Sequence, residues 1–332
     1  DQADIVLYAG AAPGDHIGFL ASLFPELVFI LVDPNPYRIY VEDSYNVSVS
    51  TISTVKQLLD ILVMNLDEAS NIYTMQSLFT QEIAEGIADV LDAMTDENRI
   101  EILFISDIRT ASGEGGMTTD FDIIWNLAQQ YRWIYTMIPK ASLVKFRHPF
   151  YNGDPEQSVA EFNRLLKSNA QAREDIESAL SFEDGLAIDF VQNYRDGKLQ
   201  YFTGTINLQA WSGMYSAETR LETTGQTVST YSDDYEDRLF YYNAIDRPYI
   251  YHENTNSSEE LGFDHCNDCS IENRAWTDFI AAKGLGEQTT VQSLVQQLSG
   301  PPTNSRRLLF GNHGKFFTNP INIDIVRDSI RE

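Results

Sequence analysis

The length, composition and charge of the chain limit the class of protein it belongs to. Its 332 residues, 43% hydrophobic and 12% aromatic, suffice for the core of one large domain or two ordinary ones. The sequence predicts neither a membrane span nor a signal peptide, so we expect a cytoplasmic compartment. A net charge of −26 argues against a protein that binds nucleic acid over its whole surface, because phosphate binding depends on Lys and Arg.

Any role on nucleic acid would therefore need a local basic patch. Basic side chains cluster in one segment of the chain: Arg109, Arg132, Lys140, Lys145 and Arg147. This cluster is where we expect a phosphate to bind, and the alternative is an ordinary solvated surface.

The first 150 residues alternate short apolar runs with helical patterns, which is typical of a parallel sheet covered by helices on both faces. The predicted strands are Ile5–Tyr8, Leu27–Val32, Asn71–Met75, Glu101–Ser106 and Ser142–Phe146. The predicted helices are Asp15–Leu23, Ser53–Asn65, Gln81–Met94 and Thr119–Met137. Because a buried strand follows Asp1 almost at once, we also expect a further segment upstream of it.

The second half of the chain changes character. Residues 154–198 carry ten acidic and five basic side chains at helical spacing, which predicts an acidic helical insertion. Leu199–Leu208 and Ser216–Glu222 alternate enough to be the last, antiparallel strands of the sheet. We therefore predict a core domain at residues 1–225 and an extension, rich in Tyr, Asp and Asn, at residues 226–332.

A glycine loop follows the first strand, in Tyr8-Ala9-Gly10-Ala11-Ala12-Pro13-Gly14-Asp15-His16. Glycine there lets the backbone turn tightly and approach a ligand closely. The G-x-G-x-x-G spacing that cradles a pyrophosphate is absent. G-x-A-P-G resembles instead the form used by one branch of methyltransferases, whose ligand carries a sulfonium and a carboxylate. The positions expected to contact that ligand are Tyr8, Gly10, Ala12, Pro13, Gly14 and His16.

Two further places are candidates for the same ligand. Asp33 ends the second strand, where an acidic residue normally accepts hydrogen bonds from a ribose diol. Its alternative is a turn residue before Pro34. Leu78 and Phe79, near the third strand, are placed to flank an adenine ring, and their alternative is an ordinary core role.

Three ionisable residues stand near the ends of the later strands. Asp107 ends the fourth strand, Lys145 lies in the apolar fifth, and Glu218 comes near the following strands. A ribose hydroxyl is a poor nucleophile, and an amine with an ordinary pKa of about 10.4 must lose its proton before it can accept another. Lys145 is therefore the candidate base, with Asp107 and Glu218 positioning it. For each residue the alternative is a salt bridge at a strand end.

The only two cysteines form a C-x-x-C pair, Cys266 and Cys269, beside His265. A structural zinc site would want four ligands, and His252 or His313 would supply the fourth. The alternative is a pair of reduced cysteines in a small loop. The chemistry expected of Lys145 requires no metal.

Four motifs, Tyr8–His16, Ile105–Arg109, Lys145–Phe150 and Tyr215–Leu221, resemble in their order the poxvirus-type cap-specific mRNA (nucleoside-2′-O)-methyltransferases. The founding member of that family is also a poly(A) polymerase stimulatory subunit. The resemblance implies a Rossmann-like, mostly parallel seven-stranded sheet. It implies S-adenosylmethionine as cofactor, with Asp107 and Arg109 among the residues that bind it. It also implies that the protein comes from a large DNA virus and is located in a cytoplasmic viral factory or in the virion.

The family uses a Lys-Asp-Lys-Glu tetrad, whose last three members fall on Asp107, Lys145 and Glu218. Its first Lys lies on a helix before the first strand. The family stacks the methylguanine of the cap between aromatic rings, one of which matches Phe150. Its carboxylates match Glu236 and either Asn152 or Asp154, so part of the C-terminal extension is expected to bind the cap against the core.

Two functions are consistent with the sequence. The first is an enzyme that methylates the first transcribed nucleotide of capped mRNA, working beside other capping enzymes or a poly(A) polymerase catalytic subunit. The second is a cap-binding or polymerase-stimulating scaffold. The strong acidity of the chain favours the scaffold, and so does the lack of a match in this sequence for the first Lys of the tetrad. The presence of Lys145 in an apolar strand favours the enzyme.

Overall fold

A computed structural model describes most of the first 246 residues of the chain. The described ranges are 3–41, 46–95, 99–149, 154–183, 185–209, 216–231 and 234–246, with a few positions between 277 and 284. By their internal contacts the residues form two units. The first is Asp1–Leu208 with Ala217–Glu236, and the second is Gln209–Ser216 with Asp237–Glu332. All strands of the central sheet belong to the first unit.

The fold is a mixed α/β arrangement around a large, mostly parallel sheet. Its strands are β1 Ile5–Ala9, β2 Val28–Val32, β3 Val49–Ile52, β4 Ile72–Met75, β5 Ile102–Ser106, β6 Ala141–Phe146, β8 Thr205–Leu208 and β9 Thr219–Thr223, with β7 Leu199–Phe202 and β10 Val228–Tyr231 outside it. The order across the sheet is β3-β4-β2-β1-β5-β6-β9-β8. The first six of these pair in parallel, whereas β9 runs antiparallel to both β6 and β8. This architecture is compatible with the predicted Rossmann-like fold.

The prediction of seven strands is wrong, because the sheet has eight. β3 is not among the predicted strands, because it is a short edge strand whose Val49 is 43% exposed, so that no buried apolar run marks it. The predicted strand Leu199–Leu208 is in fact two. It breaks at Gly204, where a Cβ would lie 2.0 Å from the carbonyl oxygen of Glu222. Its first half, β7, pairs with β10 in a separate antiparallel ribbon, and its second half is β8.

Helices flank the sheet. They are α1 Ile17–Leu23, α2 Val55–Val63, α3 Gln81–Asp92, α4 Asp120–Met137, α5 Pro155–Ser168, α6 Ala170–Ser178 and α7 Phe190–Arg195. A further helix, α8 Tyr235–Tyr241, and a π-helical turn at Tyr242–Asp246 come after β10 in the chain. Successive strand residues point to opposite faces of a sheet. Val6 packs on α1, whereas its neighbours Ile5 and Leu7 face the larger core that includes α2, α3 and α4. Helices thus cover both faces, as predicted.

Within residues 154–198 lie the helices α5, α6 and α7, as the helical spacing predicts, and α5 and α6 pack on α4. Asp175 of α6 is 4% exposed and accepts a hydrogen bond of 2.8 Å from Nε1 of Trp125 in α4. It also forms an ion pair with the buried Arg132 of the same helix. Phe162 of α5 belongs to the same core as Phe121 of α4. In the part of the chain that the structure describes, no helix combines the length and the hydropathy that a membrane span requires.

Candidate active site

The glycine turn lies where the strand order reverses, between β1 and β5. Open α/β sheets bind ligands at the carboxyl ends of the strands at such a point. Gly10 follows β1 with φ +81°, and a Cβ there would lie 2.8 Å from the backbone carbon of Asp107, which follows β5. The amide of Asp107 donates to the carbonyl oxygen of Ala9 at 2.9 Å. The turn and the acid of the candidate site are therefore in direct backbone contact.

Asp33 holds the same turn from the neighbouring strand. It is 6% exposed, and its Oδ2 accepts a hydrogen bond of 3.1 Å from the amide of Ala12. Its Oδ1 accepts from the amide of Asn35 at 2.7 Å and from the side chain of Asn35 at 3.0 Å. A carboxylate oxygen can accept more than one hydrogen bond, so the turn role and the ribose role are compatible. The ribose role stays a prediction.

The remaining residues of the glycine motif lie around the start of α1. The Ala12–Pro13 peptide is cis, and the carbonyl oxygen of Pro13 accepts from the amide of Arg38 at 2.8 Å. Gly14 has φ +73°, and a Cβ there would meet the side chain of Ile39 at 2.6 Å. His16 is exposed at the N-terminal cap of α1 and makes no side-chain capping hydrogen bond.

Phe79 lies in the core. It is 6% exposed, and its ring packs edge-on to Trp133 at a centroid distance of 4.8 Å and against Phe104 at 5.6 Å. Leu78 beside it is 66% exposed. These ring contacts are what the alternative, an ordinary core role, predicts for Phe79.

The structure brings Asp107, Lys145 and Glu218 together at the same edge of the sheet. The ammonium nitrogen of Lys145 lies 2.8 Å from Oδ1 of Asp107 and 3.6 Å from Oε1 of Glu218. The three side chains are 15–29% exposed, so solvent reaches the cluster without surrounding it. Whether these groups are catalytic is still a prediction, but their convergence is a structural fact that spacing alone could not establish.

Two arginines complete the cluster. Arg220 contacts both acids, with Nη2 at 2.9 Å from Oδ1 of Asp107 and Nη1 at 3.2 Å from Oε1 of Glu218. Arg109, predicted to bind the cofactor, forms an ion pair with Oε2 of Glu218. Arg220 is not among the predicted site residues. The signal that could have found it was its position two residues after Glu218, because such spacing puts both side chains on one face of an extended strand.

The charges of the cluster shift the pKa of Glu218 and the pKa of a neighbouring phenol, Tyr8. Burial alone would raise the pKa of Glu218, but the charges of Lys145, Arg109 and Arg220 outweigh it and hold the pKa below its ordinary value. Burial raises the pKa of Tyr8 to about 12, and Asp107 acts in the same direction whereas Arg220 opposes it. Tyr8 of β1 therefore faces the same group of charges.

The basic segment does not form a simple phosphate patch. Arg109 pairs with Glu218, Lys145 with Asp107 and Glu218, and Arg132 with the buried Asp175. Arg147 lies 3.6 Å from Glu236. Lys140 is exposed. Most of these cations are thus neutralised by carboxylates within the fold.

Of the predicted cap-binding residues, two are described. Glu236 lies in the first turn of α8 with its side chain 14% exposed, and it forms an ion pair with Arg147. Asp154 is the N-cap of α5, where its Oδ1 accepts from the amide of Glu156 at 2.9 Å. Phe150 and Asn152 lie outside the described residues, so the choice between Asn152 and Asp154 stays open.

The predicted zinc residues also lie outside the described part of the chain: His265, Cys266 and Cys269. Within that part, no three His, Cys, Asp or Glu side chains are grouped so that they could hold a metal ion.

No family model matches the sequence, and no curated protein matches it significantly. The function must therefore be inferred from the candidate site itself.

Proposed function

We propose that this protein is an S-adenosylmethionine-dependent RNA methyltransferase that modifies a ribose 2′-hydroxyl next to the mRNA cap. The observation that carries the proposal is the ammonium of Lys145, 2.8 Å from Asp107, at the switch point of a parallel sheet beside a glycine turn. A lysine held by acids at the ligand-binding edge of such a sheet suits proton transfer or orientation of a hydroxyl.

The described residues fit the cofactor chemically. The turn from Gly10 to Gly14 and the carboxylate of Asp33 would hold the nucleoside part, with the ribose diol on the remaining lone pairs of Asp33. When bound, S-adenosylmethionine supplies an electrophilic methyl group, so the reaction needs no metal.

The residues of this chain would do three things for the reaction. Asp107 and Glu218 fix the amine of Lys145, which removes rotational freedom before the substrate arrives. Lys145 in its neutral form would accept the proton of the 2′-hydroxyl, which makes that oxygen the nucleophile for the methyl group that the bound cofactor would supply. Arg109 forms an ion pair with Oε2 of Glu218, which keeps the carboxylate from turning away from Lys145.

The capped RNA is proposed on the resemblance, with Phe150, Glu236 and either Asn152 or Asp154 as cap contacts. Glu236 is held by Arg147 in the structure, so binding of a guanine edge would have to share or displace that ion pair. Other capping enzymes or a poly(A) polymerase subunit are the proposed partners, and a viral factory or virion is the proposed location.

A second candidate function is a cap-binding or polymerase-stimulating scaffold. The observation that favours it is that both acids that would position Lys145 already form ion pairs with arginines. Arg220 contacts Asp107 and Glu218, and Arg109 contacts Glu218. A site built for stability alone would show the same pairing.

Methyl transfer from labelled S-adenosylmethionine to a short RNA with a methylated cap separates the two functions. We expect transfer by the wild type, and a loss of at least about 100-fold in Lys145→Ala with cofactor binding retained. Lys56→Ala is the matched control, because Lys56 forms an ion pair on the surface of α2 with 83% of its side chain exposed. Cap binding without any transfer would instead establish the scaffold, and transfer to uncapped RNA would remove the cap assignments.

A further inference from the structure

The loop that connects β5 to α4, residues 110–119, begins beside the charged cluster of the candidate site. This β5–α4 loop follows Asp107 and Arg109 at the carboxyl edge of the sheet, where open α/β folds bind their ligands. Glu114 is its single charged residue, and the others are hydroxyl-bearing, glycine, alanine and methionine residues. An acidic chain that binds RNA needs such a surface near its site, because carboxylates repel phosphates.

Two buried side chains of α4 hold the base of the β5–α4 loop. Asn126 is 3% exposed; its Oδ1 accepts from the amide of Thr110 at 2.8 Å, and its Nδ2 donates to Oγ1 of Thr110 at 2.8 Å. Asp122 is fully buried, and its Oδ2 accepts from the amide of Ser112 at 3.0 Å and from the amide of Thr119 at 2.8 Å. Burying a polar group costs free energy unless it is hydrogen-bonded, so these contacts fix the loop to the helix.

The upper part of the loop is a closed turn that presents one apolar side chain. The amide of Gly113 donates to the carbonyl oxygen of Met117 at 2.9 Å, and a Cβ at Gly113 would lie 2.6 Å from that oxygen. Between them, Gly115 and Gly116 have positive φ, and no described atom lies within 4 Å of a Cβ added at either. Met117 is 68% exposed. The loop therefore has a fixed base, a closed neck and an open tip that carries a large apolar side chain.

We propose that the β5–α4 loop is a contact surface for the RNA strand, on which the side chain of Met117 packs against a nucleobase next to the reacting ribose. The proposal rests on the proposed function. Binding residues are found disproportionately on loops that a rigid scaffold positions. A thioether is flexible and polarisable and contacts aromatic rings favourably, so Met117 would accept different bases.

The place of the loop makes RNA the expected partner. Thr110 directly follows Arg109, which forms an ion pair with Glu218. The ammonium of Lys145 lies 3.6 Å from the same carboxylate, so a strand whose 2′-hydroxyl reaches Lys145 passes the start of the loop. Proteins hold single strands largely through contacts with the faces of the bases, and such contacts tolerate different sequences.

The first test replaces Met117 by serine and follows RNA binding and cofactor binding separately. Fluorescence anisotropy of a labelled short RNA with a methylated cap gives its Kd, and calorimetry gives the Kd of S-adenosylmethionine. We expect Met117→Ser to raise the Kd and the KM for RNA about three- to tenfold, with kcat and the Kd of the cofactor unchanged. Val63→Ser is the matched control, because Val63 is 65% exposed at the end of α2 and should change none of these quantities.

The second test displaces Met117 without removing it. Gly113 has φ −72°, so alanine is unstrained there, but its Cβ would push the carbonyl group of Met117 away. We expect Gly113→Ala to weaken RNA binding as Met117→Ser does, and the double variant to bind no more weakly than the weaker single one, because both changes remove one contact. A benzophenone amino acid at position 117 should crosslink to the RNA under ultraviolet light, whereas one at position 63 should not.

The outcomes distinguish this inference from the proposed function. A wild type that transfers methyl groups, with an RNA affinity that Met117→Ser leaves unchanged and no crosslink from position 117, overturns the inference and leaves the proposed function intact. Equal losses of RNA affinity in Met117→Ser and Val63→Ser also overturn it. A wild type that binds no RNA overturns both. A crosslink from position 117 together with a wild type that transfers nothing supports the RNA contact and overturns the methyl transfer.

Discussion

Replacing Gly10 by alanine tests how closely the glycine turn packs on the acid of the candidate site. An alanine at Gly10 would bring its Cβ to 2.8 Å from the backbone carbon of Asp107 and 2.9 Å from the amide nitrogen of Ile108. Backbone atoms cannot move aside as the end of a flexible side chain can. Either the turn or the end of β5 must therefore shift.

Two costs add in this variant. The left-handed conformation costs an alanine about 1–2 kcal/mol, and overpacking a tight site typically costs about 1–3 kcal/mol more. We therefore expect Gly10→Ala to lower the free energy of unfolding by about 2–5 kcal/mol. Because Asp107 takes up the strain, the ion pair with Lys145 should weaken and methyl transfer should fall with it.

Urea denaturation, followed by tryptophan fluorescence, measures the loss. Gly115→Ala is the matched control: Gly115 also has a positive φ, +68°, but nothing lies within 4 Å of the Cβ that alanine would add. It should lose only the conformational part, about 1–2 kcal/mol. Equal losses in the two variants would refute the clash with Asp107 and, with it, the inference that turn and acid are one packed unit.

Two further predictions concern the ion pairs of the fold. Asp175→Asn should lower the free energy of unfolding by about 3 kcal/mol, because it leaves Arg132 buried without its main counter-charge; thermal unfolding measures this, and a loss below about 1 kcal/mol would contradict it. Glu218 has a lowered pKa in the folded protein, so its ionised form adds stability that is complete above the unfolded pKa and is lost as the pH falls through the folded one. Between about pH 5 and pH 3 the wild type should therefore lose more stability than Glu218→Gln, and parallel curves over that range would count against the lowered pKa.

The inner strands β1, β2 and β4 could be predicted because almost every one of their residues is buried, so that each is a short apolar run. Val28–Val32 is buried at every position, and such a run is visible in any sequence. β3 lacks this signal because it is an edge strand with alternate residues in solvent. The split of β7 from β8 depends on the close approach of Gly204 to Glu222, a contact between strands that no local pattern records.

The candidate site could be predicted only as separate residues. Asp107 and Lys145 follow from their positions at strand ends, because parallel strands share one carboxyl edge. The spacing after Glu218 indicates that Arg220 shares its face of the strand, but the place of Arg220 opposite Lys145 depends on the register of β6 with β9, which no local pattern records. The ring of Phe79 packs on Trp133, which is far away in the sequence, so local pattern alone does not separate its core role from the predicted adenine contact, which stays a prediction.

The antiparallel pairing of β6 with β9 has a consequence for biosynthesis. Thr219 of β9 hydrogen-bonds to Phe146 of β6 across a sequence separation of 73 residues. While a ribosome is still making the intervening helices, β6 has an open edge, and an unpaired edge invites pairing with other chains. During this interval of synthesis the nascent chain is exposed to aggregation. The interval ends when β9, the strand that carries Arg220, emerges from the ribosome and pairs with β6.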